Sequence, residues 1–298
     1  MRHAKKRKKL LFGEIVLIVS LCVFVVTILG ISIDRIVYSS YQPEIEKNDM
    51  TRVPPDVIQK IRLTPPSKEF RVPILMYHYI ENVKDLRDTI RISLSIPPEI
   101  FEAQVKTLSN AGYEFITTAE LGRVLEGKAS FPEKPVILTF DDGYEDFYTD
   151  VFPILKKYRA KSTAYIVSGR LDKPNYLSTK QLIEIARSDL VEIGAHTINH
   201  SSLIGDTLEN VRKEVIGSKK QLEKITNTIV VSFAYPYGSF DDHTLRIVRE
   251  SGFTNAVSTI PGINVSQQNK YFIFRIRPGQ KTDKDLIEYL DQSYFNPW

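Results

Sequence analysis

The chain has 298 residues, of which 42% are hydrophobic and 26% are charged, so it is long enough for one large globular domain or two small ones. Its formal net charge is +4, but residues 1–14 carry +5 and the remainder carries −1. A body this close to neutral lacks the positive surface that nucleic-acid-binding proteins use, so we expect no nucleic-acid partner.

Residues 15–33 form an uncharged, mostly apolar run of 19 residues directly after the basic tail. As a helix, this run would be about 28 Å long, close to the roughly 30 Å hydrocarbon core of a lipid bilayer. We therefore predict a single membrane-spanning anchor, with residues 1–14 as a basic cytoplasmic tail and the rest of the chain extracellular. A cleaved signal peptide is the alternative, but its apolar region would be shorter, and Gly30-Ile31-Ser32 matches a cleavage site poorly.

Residues 34–70 have the composition of a stalk between the anchor and a folded domain. They contain Pro43 and the pairs Pro54-Pro55 and Pro65-Pro66, which favour extended, semi-rigid chain. The single cysteine, Cys22, lies in the predicted anchor, so the domain predicted for residues 71–298 has neither disulfides nor thiolate chemistry.

From residue 71 onward, short apolar runs alternate with segments of helical periodicity. The predicted strands are 73–78, 136–140, 163–167, 191–195, 229–234, 256–259 and 272–276. The predicted helices are 99–110, one opened by a capping box of Thr117 and Glu120, 145–158, one opened by Ser178 and Gln181, 207–226, 242–250 and 283–290. This alternation predicts an α/β fold with parallel strands, namely a distorted or incomplete (β/α) barrel.

Polar residues that can take part in catalysis or bind a metal lie where the predicted strands end. They are His78, Asp141-Asp142, His196 and Tyr235-Pro236-Tyr237. Active sites of (β/α) barrels lie at the carboxyl ends of the strands, so this convergence predicts one site at that face.

Two imidazoles and one carboxylate would hold a metal ion and leave coordination positions open for catalysis. His196 and His200 would share a face if their segment turns helically, and the adjacent Asp141 and Asp142 point in different directions and can take different roles. Taken alone, Asp-Asp-Gly is more often a turn, and two histidines are as often ordinary hydrogen-bonded polar residues. Their joint position at strand ends, in a chain with five histidines, favours a site.

Three motifs resemble those of the polysaccharide deacetylases of carbohydrate esterase family 4, also called the NodB-homology domain. They are Thr139-Phe140-Asp141-Asp142-Gly143, His196-Thr197-Ile198-Asn199-His200 and Phe233-Ala234-Tyr235-Pro236-Tyr237-Gly238. The strand from Val72 to His78 resembles the opening strand of the membrane-associated exopolysaccharide deacetylase branch. The resemblance covers Arg71 to about Pro278.

The resemblance implies that Asp142, His196 and His200 hold a divalent metal, usually zinc. It also implies that Asp141 is the general base, and that the motif with Pro236 and Tyr237 supplies an oxyanion-binding backbone N–H and a ring that lines the sugar groove. The expected activity is metal-dependent removal of N-acetyl groups from N-acetylglucosamine units of an extracellular or cell-wall polysaccharide.

The sequence departs from the family pattern at two positions. The family's third motif usually has an arginine where this chain has Ala234, and that arginine orients the base. Arg275 or Arg277 could replace it, although both could equally be solvated charges at a strand end. The usual carboxy-terminal Leu-x-x-His motif is also missing, since no histidine follows His243.

We predict that His78 is the general acid that protonates the departing amine. His3 lies across the predicted membrane, His196 and His200 are assigned to the metal, and His243 is expected on the surface at a helix start. The first strand of a barrel lies beside the last, so His78 could occupy the place of the missing histidine. The alternative is that His78 is simply a hydrogen-bonded histidine of the strand core.

Two other functions compete with a deacetylase. A non-catalytic carbohydrate-binding scaffold could share the fold, although the retained Asp141 and all three metal ligands argue against it. A non-haem iron oxygenase also uses two histidines and a carboxylate. The spacing of the histidines 54 residues after Asp142 on a barrel-like pattern disfavours it.

Overall fold

The structure is a computed structural model that describes residues 68–292. The predicted tail at 1–14, the predicted anchor at 15–33 and most of the predicted stalk lie outside the described residues. Between residues 68 and 292, no helix combines the length and apolar character needed to cross a bilayer.

The fold is an α/β fold around one parallel sheet. The strands in chain order are β1 (Phe70–Arg71), β2 (Ile74–Tyr77), β3 (Glu114–Phe115), β4 (Pro135–Phe140), β5 (Ser162–Ile166), β6 (Val191–Ala195), β7 (Ser232–Ala234), β8 (Asn255–Val257) and β9 (Asn264–Val265). The main sheet has seven strands in the order β2-β4-β5-β6-β7-β8, with β3 beside β4, and all its pairings are parallel. The short β1 and β9 pair with each other in antiparallel orientation.

Helices connect the strands and cover the sheet. They are α1 (Thr89–Leu94), α2 (Pro98–Asn110), α3 (Thr118–Leu125), α4 (Phe152–Tyr158), α5 (Thr179–Ala186), α6 (Leu208–Thr226), α7 (Asp242–Glu250) and α8 (Asp283–Gln292). Both predicted capping boxes are present, with Thr117 and Glu120 opening α3 and Ser178 and Gln181 opening α5. Since the helices cover the sheet, every residue of the central strand β4 is buried, as expected for a parallel strand covered on both faces.

The helix predicted for residues 145–158 is divided. A single π-helical stretch, Phe147–Val151, precedes α4, and Pro153 lies in the first turn of α4, where its missing N–H costs nothing. Insertions of this kind are frequent next to functional sites. Here the π-helical stretch begins six residues after Asp141.

The predicted last strand, 272–276, does not form a continuous strand. Ile273 bridges to Val257 of β8, whereas Ile276 bridges to Leu75 of β2. The segment therefore changes partner within four residues, which prevents a regular ladder with either neighbour. Because it contacts both edge strands, it brings the first and last strands of the curled sheet together and places Arg275 between them.

Candidate active site

Asp141 and Arg275 form a buried ion pair at the carboxyl end of β4. Both guanidinium Nη atoms donate to the two carboxylate oxygens of Asp141 at 2.7 Å, and the side chains are 3% and 1% exposed. Arg275 also donates to the backbone oxygen of Ser258 at 2.8 Å and to the hydroxyl of Thr139 at 3.1 Å. The guanidinium is thus held in one orientation, and it holds both oxygens of Asp141.

This ion pair determines the charge of Asp141. Burial alone would raise the pKa of the carboxyl, but the charge and hydrogen bonds of Arg275 outweigh burial and hold that pKa well below its usual range. Of the two arginines proposed as replacements for the one missing at Ala234, the structure brings Arg275 to the base. Arg277 is half-buried near His78 instead.

His78 lies beside Asp141, directly after β2. Its Nε2 is 4.0 Å from Asp141 Oδ2, too far for a direct hydrogen bond. Burial lowers the pKa of His78 to about 3, and Arg277 and Arg275 act in the same direction against the opposing charge of Asp141. At neutral pH, His78 is therefore uncharged in the resting structure.

Asp142, His196 and His200 converge on one point. The Oδ1 atom of Asp142 lies 3.5 Å from His196 Nε2 and 3.2 Å from His200 Nε2, and the three candidate ligand atoms are all within 4.8 Å of one another. Between residues 68 and 292, this is the single group of three or more such side chains close enough to share a metal.

A hydrogen bond on the far side of His196 orients that ring. His196 Nδ1 lies 2.7 Å from the carbonyl oxygen of Ala234, so Nδ1 carries the proton and Nε2 keeps its lone pair for a metal. Ala234 is the position where the family usually has an arginine. Its backbone supports a metal ligand here, while Arg275 supports the base.

The ligand set fits a divalent cation. Burial raises the pKa of Asp142, while burial lowers the pKa of His196 and of His200, so both imidazoles are neutral, as metal ligands must be. Within residues 68–292, the only basic side chains within 4.0 Å of the Asp142 carboxylate are these two imidazoles. A bound cation would compensate the buried negative charge that neutral imidazoles leave uncompensated.

The helical turn that would have put His196 and His200 on one face is not the way the structure brings them together. The segment is an irregular loop in which Thr197 has φ 66° and His200 has φ 58°. Such left-handed backbone costs about 1–3 kcal/mol per residue and persists only where the surroundings enforce it. The imidazoles meet because the loop reverses direction, with the Thr197 hydroxyl accepting the His200 N–H at 3.0 Å.

Pro236 and Tyr237 form the opposite side of the site, in the 3₁₀ turn Pro236–Gly238 after β7. The Tyr237 ring lies 4.6 Å from the His200 ring and remains 49% exposed, so it can contact a ligand. Tyr237 also has a positive φ of 60°, which sets the direction of the backbone N–H groups in this turn.

Two parts of the site were missed by the sequence reasoning. Tyr144 follows the first motif directly, hydrogen-bonds with Asp142, and is stacked on Tyr79 with ring centroids 3.9 Å apart. Glu214 of α6 accepts hydrogen bonds from the loop that carries the two histidines. The available signal for Glu214 was a lone carboxylate on the buried face of α6, between Val211 and Val215.

The sequence matches known proteins across the region that forms this site. The family model for polysaccharide deacetylase matches residues 128–256. YxkH of Bacillus subtilis (strain 168), whose name assigns it provisionally to the polysaccharide deacetylases, is 33% identical over 210 residues, 70% of this chain and 72% of its own. The poly-beta-1,6-N-acetyl-D-glucosamine N-deacetylase of Staphylococcus aureus (strain MSSA476) is 28% identical over 245 residues, 75% of this chain and 84% of its own.

Solved structures share the fold. The deacetylase PplD of Streptococcus pyogenes, determined in complex with acetate, superposes with a TM-score of 0.69 at 31% identity, covering 75% of this chain and 99% of its own. BC0361, a polysaccharide deacetylase from Bacillus cereus, superposes with a TM-score of 0.65 at 29% identity, covering 74% of this chain and 69% of its own. The curled parallel sheet is therefore the fold of solved deacetylases.

Proposed function

The chain belongs to the polysaccharide deacetylase family, and on that premise we propose that it removes N-acetyl groups from N-acetylglucosamine units of an extracellular or cell-wall polysaccharide in a metal-dependent reaction. The observation that carries this proposal is the placement of the Asp142, His196 and His200 ligand set beside the buried pair of Asp141 and Arg275. The relative that acts on poly-beta-1,6-N-acetyl-D-glucosamine supports N-acetylglucosamine as the acetylated sugar.

The proposed cofactor is a divalent metal, zinc by the chemistry of its ligands. Two imidazole nitrogens and one carboxylate oxygen are typical zinc ligands, and a three-residue set leaves a coordination position open. When bound, such an ion polarises the acetamide carbonyl and lowers the pKa of a water molecule from 15.7 toward about 7. His196, held by Ala234, and His200, held by its loop, present their Nε2 atoms for this purpose.

Asp141 is the proposed general base. Arg275 keeps the carboxylate ionised and holds both oxygens in place, so Asp141 is ready to accept a proton from the attacking water. The strong interaction with Arg275 makes Asp141 a weak base in isolation. The proton must therefore be passed on. Among the residues that the structure describes, His78 is the one basic side chain other than Arg275 within 4.0 Å of the Asp141 carboxylate.

His78 is the proposed general acid, and its low pKa defines when it can act. An imidazole that is neutral at rest cannot donate a proton until it has gained one. In our proposal, Asp141 takes the proton from the attacking water, and a water molecule or the substrate bridges the 4.0 Å between Asp141 Oδ2 and His78 Nε2. His78 then delivers the proton to the departing amine nitrogen. One proton thus moves from nucleophile to leaving group.

The turn after β7 is the proposed oxyanion and sugar-binding element. A backbone N–H near Tyr237 donates to the oxyanion, an interaction that can contribute about 2.7–4 kcal/mol to catalysis. The exposed Tyr237 ring lines the proposed sugar groove, and the buried Pro236 holds the turn that presents this ring. The alternative of a non-catalytic scaffold rested on two departures, the missing arginine at Ala234 and the missing carboxy-terminal histidine. The contact of Arg275 with Asp141 argues against the first, and the proposed role of His78 addresses the second.

We propose the same chain organisation as the sequence predicts. Residues 1–14 are a cytoplasmic tail, 15–33 a membrane anchor in contact with the lipid bilayer, 34–70 a stalk, and 71–298 an extracellular deacetylase domain. Protease added to cells stripped of their wall should release a fragment that begins within the stalk. Protection of the domain until the membrane is breached would overturn this topology.

The activity itself is tested by acetate release from a panel of defined acetylated glycans. Activity should disappear after chelation and return when zinc is added, and His200→Ala should lower both metal content and turnover. The exposed histidine variant His243→Ala, at the start of α7, is the matched control and should behave as the unmodified chain. Full activity of the metal-free protein would contradict the proposal.

A further inference from the structure

The loop from His196 to His200 is attached to α6 through one buried carboxylate. Glu214 Oε2 accepts the backbone N–H groups of both Ile198 and Asn199 at 2.9 Å, and Oε1 accepts the side-chain amide of Asn199 at 2.6 Å. The Glu214 side chain is 6% exposed. A single buried carboxylate thus accepts three hydrogen bonds from the two residues Ile198 and Asn199 between the histidines.

The geometry of the loop explains why an anion fits there. Thr197 has a left-handed φ of 66°, and consecutive N–H groups after such a residue point to the same side of the chain. Backbone of this form creates a concavity that binds anions. Glu214 supplies that anion from within the protein, so the carboxylate favours the one loop conformation that brings His196 and His200 together.

The opposite side of the loop is held independently. The carbonyl oxygens of Thr197 and Ile198 accept the N–H groups of Ser168 and Gly169 at 3.1 and 2.9 Å. The Ile198 side chain packs closely on α6, where a Cβ atom on Gly217 would lie 2.6 Å from Ile198 Cδ1. The carbonyl groups of the loop therefore have partners elsewhere, and Glu214 is the partner for the donors of Ile198 and Asn199.

We propose that Glu214 is a positioning residue of the metal site, which pre-organises His196 and His200 for a divalent cation without contacting it. This inference rests on the proposed function, since it assumes that these histidines bind metal. Residues that orient metal ligands in this way typically contribute 10–100-fold to metal affinity. The effect should fall on metal binding rather than on the chemical step.

Zinc titration of the full chain against a competing chromogenic chelator tests the proposal. Glu214→Ala should weaken zinc binding by about 10–100-fold, and Glu214→Gln, which keeps one acceptor oxygen but no charge, should weaken it less. Asn199→Ala removes only one of the three hydrogen bonds and should have a smaller effect still. Glu209→Gln changes an exposed carboxylate in the first turn of the same helix and should bind zinc as the unmodified chain does.

Two further readouts separate positioning from a purely structural role. At saturating zinc, the Glu214→Gln variant should have a kcat close to that of the unmodified chain, because its ligands and base are intact. Its metal-free melting temperature should change less than the stabilisation that zinc adds. Unchanged zinc affinity of folded Glu214→Gln, with only a lower melting temperature, would overturn the inference. Failure of the unmodified chain to bind zinc would instead overturn the proposed function.

Discussion

Asp141 and Asp142 are consecutive residues, yet their carboxylates lie in opposite electrostatic surroundings. Asp141 is buried against Arg275, which gives it a permanent cation and a low pKa. Asp142 is buried against two neutral imidazoles, and burial raises its pKa. At the end of β4, the Asp141 carboxylate thus pairs with the guanidinium of Arg275, and the Asp142 carboxylate lies in the candidate metal site.

This difference shows how the same side chain takes two roles. A carboxylate whose charge is already compensated stays ionised without any ligand and can act on protons. A carboxylate without a charged partner gains most from binding a cation. Positive φ at Asp142, 77°, contributes to the separation because it turns the second side chain away from the first.

The largest expected effect comes from removing the base Asp141 while leaving Asp142 in place. Asp141→Asn should lower kcat by about 10⁴-fold, the upper end of what a general base contributes. Its zinc content should remain near that of the unmodified chain, because Asp142 and both histidines are unchanged. Asp142→Asn should lose activity together with zinc. Metal analysis of both purified proteins checks the division, and equal zinc loss in the two variants would contradict it.

The next largest effect concerns His78, which in our proposal receives the proton from Asp141. His78→Ala should lower kcat on an N-acetylated glycan by about 10²–10⁴-fold, the usual contribution of general acid catalysis, with zinc content unchanged. The loss should be smaller on an activated ester, whose leaving group needs no proton. Equal losses on amide and ester, or less than tenfold on the amide, would remove His78 from the role of acid.

A smaller effect tests whether Arg275 keeps Asp141 ionised. Arg275→Gln leaves Asp141 buried without its partner, so the pKa of Asp141 should rise and the carboxylate should be partly protonated at neutral pH. We expect a loss of about 10–100-fold in kcat/KM near pH 7 that shrinks as pH rises, because alkaline pH restores the carboxylate. A pH-rate profile from pH 5 to 9 measures this shift.

Two controls separate charge from stability in that experiment. Arg275→Lys keeps the positive charge but loses the paired hydrogen bonds, so its pH profile should move less. Removing one partner of a buried ion pair destabilises a protein by about 3–5 kcal/mol. The double variant with Asp141→Asn and Arg275→Gln should regain melting temperature but no activity. An unshifted profile in Arg275→Gln would show that Arg275 does not control Asp141.

Much of this arrangement was predictable from local sequence. The motifs at Asp141-Asp142 and His196–His200 follow β4 and β6, and strand ends of a parallel sheet meet at one face, so their convergence needed only the alternation of elements. The capping boxes at Thr117 and Ser178 were also visible, because a helix start depends on residues within one turn.

Other features depended on contacts that local patterns do not encode. The choice between Arg275 and Arg277 required the register of the 272–276 segment, which changes partner from β8 to β2. The loop between the histidines is not helical, and two of its N–H groups donate to Glu214, which lies 15 and 16 residues further along the chain. The four-residue spacing of His196 and His200 is compatible with a helical turn, but the segment forms an irregular loop with hydrogen bonds to α6.

The smallest expected effect on activity concerns a third aspartate on the same chain segment, whose influence is on stability instead. In the described part of the chain, no arginine, lysine or histidine side chain forms an ion pair with Asp146 within 4.0 Å, in contrast to Asp141. Its Oδ2 accepts the Ile80 N–H, and its buried Oδ1 has no hydrogen-bond partner within residues 68–292. Burial therefore raises the pKa of Asp146 to about 7, with Glu81 and Asp150 adding to the rise. In the folded protein this carboxyl binds a proton over a range where the unfolded chain has released it.

The sign of the pH effect follows from that difference. The unfolded pKa is about 3.9 and the folded pKa is higher, so the contribution of Asp146 to stability is fully present below pH 4 and is lost as pH rises toward 7. Asp146→Asn keeps an acceptor for Ile80 and cannot ionise. Its metal-free form should match the unmodified chain near pH 4 and exceed its free energy of unfolding by about 4 kcal/mol at pH 8, since one pKa unit corresponds to about 1.4 kcal/mol. Denaturant unfolding at both pH values measures this, with exposed Asp189→Asn as the matched control, and a gain that does not depend on pH would mean that Asp146 is ionised throughout, as Asp141 is.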